Sequence, residues 1–257
     1  MSKNAEIDNI LSNTPDKSED TNTTSKKFKR DLHNFLSHYL TNSKDMKVLE
    51  FGTSHGHTTG ILALSLKEVI TFDKYESNLK LARVNNSDFD NISYVEKDLY
   101  DGVFPLGEDK LDFDVAFVDC VHKIQFVSHD IWKLLTLKKN KKVVMIFDDY
   151  GLNWGPNSGH VKAAVDYFIE NGYLKVIKKI GFKKGDKLDD GDCFGDAEGI
   201  ICETTNKSAK ELGVFCIKEV GISNGEVIVE IYMDNVFRSG KLVELFKQID
   251  KSFGETI

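Results

Sequence analysis

The segment KVLEFGTSHGHTTG, Lys47 to Gly60, offers two readings. Within it Gly52-Thr53-Ser54-His55-Gly56 fits G-x-S-x-G. Such a turn can carry a nucleophilic serine. It can equally be a glycine bend that lets the backbone approach a bound cofactor. A nucleophile elbow sits on a sheet already assembled from several strands, with an acid and then a histidine later in the chain. Here only one helix and one strand are expected before Ser54, and His160, which could follow Asp148 in such a triad, opens a predicted helix. The fingerprint G-x-G-x-x-G fails as well, because position 54 is Ser and position 57 is His. What remains is E-x-G-x-x-x-G, from Glu50 to Gly56, between a strand and a helix.

Working outward, apolar strands and helices alternate. KVLEFG is a strand and TTGILALSL a helix; VITFD is a strand ending at Asp73; ESNLKLARVN is helical; ISYVEKD is strand-like and ends at Asp98. FDVAFVDC ends at Asp119, QFVSHDIWKLL is a helix with Phe126, Ile131 and Leu134 inward, and KVVMIFDD ends at Asp148 and Asp149. GHVKAAVDYFIEN is a helix closed by Gly172. Near-continuous Val, Ile and Phe strands separated by helices predict a parallel sheet covered on both faces. YLKVIKKIGF and EGIICET then read as an antiparallel hairpin that finishes the sheet, joined by the acidic, glycine-rich loop Lys183 to Gly199. Beyond Thr205 a second hairpin with an Asn-Gly turn and a helix at Lys241 to Ile249 are expected. This extension reads as an edge cover, a substrate lid or a dimer contact.

The fold expected is therefore α/β: a doubly wound, mostly parallel seven-stranded sheet with a terminal antiparallel hairpin. Residues 1–26, rich in Ser, Thr, Asn, Asp and Lys, read as a disordered tail. Residues 27–204 form the main domain and 205–257 the extension. A helix over Lys27 to Leu40 puts Phe28, Leu32, Phe35, Leu36 and Tyr39 on one stripe.

A net charge of −7 disfavours a nucleic-acid partner. No apolar run approaches the roughly 20 residues that span a bilayer, and no apolar segment follows a basic start, so neither a membrane anchor nor a secretory signal is expected. Cys120, Cys193, Cys202 and Cys216 lack C-x-x-C spacing and read as reduced thiols of a cytoplasmic protein.

In a doubly wound sheet the Glu50–Gly56 loop and Asp73 lie side by side at the carboxyl edge. Gly52 and Gly56 let the loop press on a ligand, and Asp73 can accept both ribose hydroxyls. Glu50 orders the loop amides or meets a cationic ligand group, and Asp98 ends the third strand near where an adenine would sit. VLEFGTSHGHTT and VITFDKYESNLKLAR resemble the first motif, and the second-strand acid with its helix, of the class I S-adenosylmethionine-dependent methyltransferases. The resemblance runs from about Lys27 to Thr205. It implies that Glu50, Gly52, Thr53, Ser54, Gly56 and Asp73 surround the cofactor, with Asp98 near the adenine and Asp119 at the cofactor's edge.

A second constellation lies in FVDCVHK and IFDDYG. Adjacent parallel strands are about 4.8 Å apart, so Asp119, Asp148 and Asp149 can converge. Clustered carboxylates repel unless something positive sits between them, and hard oxygen ligands suit Mg²⁺. His122, three residues after Asp119, is a candidate general base. The set resembles the cation-dependent O-methyltransferases of the catechol and caffeoyl type and of the sugar and natural-product type. That resemblance implies Asp119, Asp148 and Asp149 as metal ligands. The catechol type has lysine where His122 stands, so D-x-x-H is similar to the sugar and natural-product branch. Tyr150 and Trp154 read either as ring-stacking residues or as loop packing. The function expected is O-methylation of a small-molecule or sugar hydroxyl, dependent on S-adenosylmethionine and a divalent cation. A metal-independent methyltransferase for nitrogen or carboxylate, or a silent binding module of the same fold, stands as the alternative. A homodimer is compatible with either.

Overall fold

Seven short strands build the main sheet: β1 (Lys47–Phe51), β2 (Glu68–Asp73), β3 (Ile92–Glu96), β4 (Val115–Val118), β5 (Val144–Phe147), β6 (Leu174–Ile180) and β7 (Gly199–Thr204). In this computed structural model residues 3–16, 19, 23–101, 112–138, 141–153, 158–186, 194–213, 215–223, 226–233 and 240–249 are described. The order is β3-β2-β1-β4-β5-β7-β6. The first five strands are parallel, while β7 runs antiparallel to both β5 and β6. The strand order turns back between β1 and β4, which is where doubly wound sheets bind ligands.

Alternate side chains leave each strand on opposite faces, and both faces are apolar. On one side Val48, Val69, Val115, Phe117 and Ile146 pack with α2 (Lys26–Asn34) and α3 (His57–Ser65). On the other, Leu49, Phe72, Ala116, Met145 and Phe147 pack with α5 (Ile124–Leu137) and α6 (His160–Glu170). Helix α4 (Glu76–Asn85) lies against β2, β3 and α3. Phe126, Ile131 and Leu134 of α5 are buried as the sequence predicts.

The amino-terminal expectation is corrected. Residues Lys3–Asn13 form helix α1, and its Ile7 and Leu11 are only 2% and 5% exposed, packed in the same core as Phe35 and Leu62. Spaced i and i+4, the two side chains share one face, and burying each contributes about 1.5–3 kcal/mol. The following helix also departs from the sequence reading. Helix α2 gives way to a π-helical turn at Phe35–Tyr39, and Tyr39, assigned to the buried stripe, is 64% exposed. The wider turn rotates the last residues off the 3.6-residue period.

Between α1 and α2 a strap, Thr23 to Ser25, is buried. Ser25 caps α2 by accepting from Phe28 N–H at 2.9 Å. Its own hydroxyl donates to Glu198 Oε2 at 2.6 Å, and its N–H to Glu198 Oε1 at 2.8 Å. Glu198, fully buried ahead of β7, also accepts from Phe182 N–H at 3.1 Å. Lys29 is buried too, its ammonium donating to Thr23 Oγ1 at 2.8 Å and to the Thr24 carbonyl.

The extension beyond Thr205 contains an antiparallel pair, β8 (Phe215–Ser223) and β9 (Glu226–Met233), and helix α7 (Lys241–Ile249). Ile217, Leu242, Val243 and Phe246 are buried in the same apolar cluster as α5 and α6, so the extension shares the main core. Trp132 of α5 ties it down by donating to the Gly213 carbonyl at 2.9 Å. Trp154 and the Asn-Gly turn at 224–225 lie outside the described residues.

Candidate cofactor and acid site

At the carboxyl end of β1 the chain must turn against the start of the β4 loop. Gly52 has φ +97°, and a Cβ there would run into the Asp119 carbonyl oxygen. Gly56 has φ +78°, and a Cβ there would come within 2.7 Å of the Ala82 side chain. Only glycine suits both backbones. Between them Ser54 adopts φ +47°, a left-handed conformation uncommon outside glycine. Asp73 braces it and is itself held by its neighbours. Ser54 N–H donates to Asp73 Oδ2 at 2.9 Å, and Asn78 of α4 donates to both Asp73 oxygens at 3.2 Å. Tyr75 N–H donates to Asp73 Oδ1 at 2.9 Å. Asp73 therefore shapes the loop as well as facing it. Thr53 is buried, its hydroxyl 2.6 Å from that of Thr71.

Glu50 lies in β1 and is fully buried. Thr59 donates to its Oε2 at 2.7 Å, while Oε1 has no hydrogen-bond partner among the described residues. Burial, reinforced by the nearby Asp119 and Asp73 carboxylates, outweighs the threonine hydrogen bonds and pushes the Glu50 carboxyl up to about 8. Asp98 sits past the end of β3, where its Oδ1 accepts from Tyr100 N–H at 2.9 Å.

The acids at the ends of β4 and β5 meet around one side chain. His122 Nε2 lies 3.2 Å from Asp119 Oδ1, and its Nδ1 lies 3.2 Å from Asp149 Oδ2. Asp148 is buried beside them, 4% exposed. Asp149 has φ +53°, so the acid pair is held at the cost of local strain. Burial alone would lower the His122 pKa, but Asp149, Asp119 and Asp148 together push it up to about 9. The sequence reading expects a metal ion between the carboxylates and a near-neutral base beside them. In the structure the His122 ring lies between the Asp119 and Asp149 carboxylates, whose charges favour its protonated form. Among the described residues no three or more His, Cys, Asp or Glu side chains are set as a metal-holding group.

Tyr150 belongs to the packing, not to an open face. It is 2% exposed, and its hydroxyl donates to Asp166 Oδ1 at 2.6 Å and accepts from Lys162 at 2.8 Å. The Lys162 and Lys179 ammonium groups lie 4.5 and 5.2 Å from its ring centre. Burial, with Asp166 adding, pushes its phenol up to about 12. Cys120 and Cys202 are free thiols, and burial pushes each up to about 12, so neither is a ready nucleophile. Sequence reasoning missed Thr59 and Asn78; both lie on the helices that follow the glycine turn and Asp73, one turn or so in.

No protein-family model and no curated protein sequence matches the chain. Solved structures do. An O-methyltransferase from Bacillus cereus, in complex with SAH, aligns with TM-score 0.55 at 17% identity, covering 80% of this chain and 91% of that one. The chain has the Rossmann-like methyltransferase fold. The O-methyltransferase TomG of Streptomyces achromogenes, in complex with SAM, aligns with TM-score 0.52 at 16% identity over 80% of this chain and 90% of that one. A tRNA (m1A58) methyltransferase from Aquifex aeolicus reaches TM-score 0.51 at 20% identity, covering 79% and 76%. The same fold thus occurs in neighbours named for different substrates, so a function has to be argued from the site.

Proposed function

We propose that this protein is an S-adenosylmethionine-dependent methyltransferase that acts on a hydroxyl of a small molecule or sugar with the help of a divalent cation. The observation that carries the reading is the placement of the Gly52 turn directly against Asp119, the residue that leads into the His122–Asp149 cluster. A cofactor on the turn and an acceptor at the acids would then be neighbours. The residues suit a cationic nucleoside cofactor: the buried Glu50 Oε1 has an open acceptor position among the described residues, and Gly52 lets the turn lie directly against the Asp119 backbone. When bound, S-adenosylmethionine supplies an electrophilic methyl group. Asp73 and the Ser54 amide fix the loop, and Asp98 lies on the adenine side.

Asp119, Asp148 and Asp149 carry the hard oxygen donors that a cation such as Mg²⁺ prefers, although as they stand they form no ready-made metal-holding group among the described residues. A cation there would supply positive charge beside the acceptor hydroxyl. His122 then matters through its proton. With the carboxylate charge unscreened it holds that proton at neutral pH. Offsetting the carboxylates returns the ring towards its ordinary range, where it can accept the hydroxyl proton. Placing acceptor and methyl side by side supplies much of the acceleration expected of such a site. The His122–carboxylate bridge also favours a second reading, a methyltransferase that needs no metal.

Titration calorimetry with S-adenosylmethionine, followed by a methyl-transfer assay against catechols, vicinal diols of sugars, and amine and carboxylate acceptors, tests both. The main reading expects cofactor binding and a chelator-sensitive transfer to a hydroxyl. Full activity in chelator overturns the cation, and absence of cofactor binding overturns the methyltransferase reading.

A further inference from the structure

The turn that carries His122 has no cap of its own. Helix α5 begins at Ile124, its cap position is Lys123, and no side chain of Lys123 bonds the helix end. The first N–H groups of a helix have no partner within it and must find one elsewhere. Phe126 and Val127 N–H both turn back to the Lys123 carbonyl. The Ile124 N–H instead donates to His160 Nδ1 at 3.2 Å, in a buried contact across 36 residues of sequence. His160 is the first residue of α6 and only 7% exposed.

That bond ties together the first residues of the two helices that follow the acid-bearing ends of β4 and β5. Asp119 and His122 stand just ahead of α5, and Asp148 and Asp149 stand on the loop leading to α6. The 3.2 Å spacing between His122 Nδ1 and Asp149 Oδ2 depends on both loops keeping their relative position. We propose that His160 is a positioning residue, a cap lent by the first turn of α6 to α5 that holds His122 in register with Asp149. The bond requires an unprotonated Nδ1, so the ring presents its acceptor to Ile124 and directs any proton to Nε2. The kinetic consequence rests on the methyl-transfer reading; the cap itself does not.

The experiment is amide hydrogen exchange by NMR on the full chain, with S-adenosylmethionine affinity measured alongside. In the unaltered protein the Ile124 amide is expected to be protected, although it is the first amide of a helix; an unprotected Ile124 overturns the proposal. In His160→Ala the Ile124 amide should exchange at least about 10-fold faster, while that of Ala164 in the body of α6 stays as it was. His160→Asn places an acceptor oxygen where Nδ1 stands and should restore protection. A uniform acceleration at Ile124 and Ala164, or no rescue by asparagine, means a merely structural role and sinks the idea. With a hydroxyl acceptor in hand, His160→Ala should lower kcat about 10-fold or more with KM for S-adenosylmethionine unchanged, and His160→Asn should recover it. If no acceptor is ever methylated, the methyl-transfer reading fails while the exchange pattern still decides the cap.

Discussion

At the scale of single residues, Glu50 makes the sharpest statement about pH. Its carboxyl titrates near 8 in the fold, against about 4.5 in the unfolded chain. Between those values the folded protein holds a proton that the unfolded chain has released, so this group's contribution to stability is lost progressively as pH rises from about 4.5 to 8. Glu50→Gln, neutral at every pH, removes that slope. Urea titrations should show the variant gaining on the native protein by an amount on the order of 3–5 kcal/mol between pH 5 and 8; parallel curves would refute the buried-acid account. Asp73 is the complementary case. Because it accepts from the Ser54 amide in a left-handed turn and, on the proposed reading, faces the cofactor, Asp73→Ala should weaken S-adenosylmethionine binding by roughly 10-fold or more. Calorimetry that returned an unchanged affinity would remove Asp73 from the site.

At the scale of elements, the apolar strands were legible because each is a short, nearly uninterrupted run. VLEF, VAFV and VMIF can only be buried on both faces, and the acids that end them fall at one rim. Helix α1 was not legible. Ile7 and Leu11 carry the signal, but Asn, Asp and Ser around them dilute the composition to that of a tail, and only the partner surface of α2 and α3 rescues it. Ile7→Ala with Leu11→Ala should therefore cost roughly 3–6 kcal/mol of unfolding free energy; a true tail would show no change. The acid cluster was legible as proximity, since strand order brings Asp119 and Asp149 together. The setting of His122 was not, because its two 3.2 Å carboxylate contacts, which favour the protonated ring, are reported by no spacing in sequence. Tyr150 was undecidable for the same reason: its fate depends on Lys162 and Asp166, a helix away.

At the scale of the whole molecule, ligand binding and stability are linked. A cofactor that binds only the folded chain at 100 times its dissociation constant adds about 2.7 kcal/mol. Thermal melts with S-adenosylmethionine should shift upward by several degrees, and addition of Mg²⁺ should shift them further only if the acids accept a cation in place of the His122 proton. A melt insensitive to the nucleoside would leave the fold without its proposed ligand. The extension from β8 to α7 shares the main core, so it is expected to melt in the same transition as the sheet.

The Ser25–Glu198 contact links residues 173 positions apart. During synthesis at about 5–20 residues per second, Glu198 emerges on the order of 10–30 s after Ser25. Until then the strap that seats α2 is held only through Thr23 and Thr24, by Lys29 and Thr58, and Ser25 lacks its carboxylate partner. The seat of α2 is thus completed only once the strand that follows Glu198 has been made, although the helix itself lies far earlier in the chain.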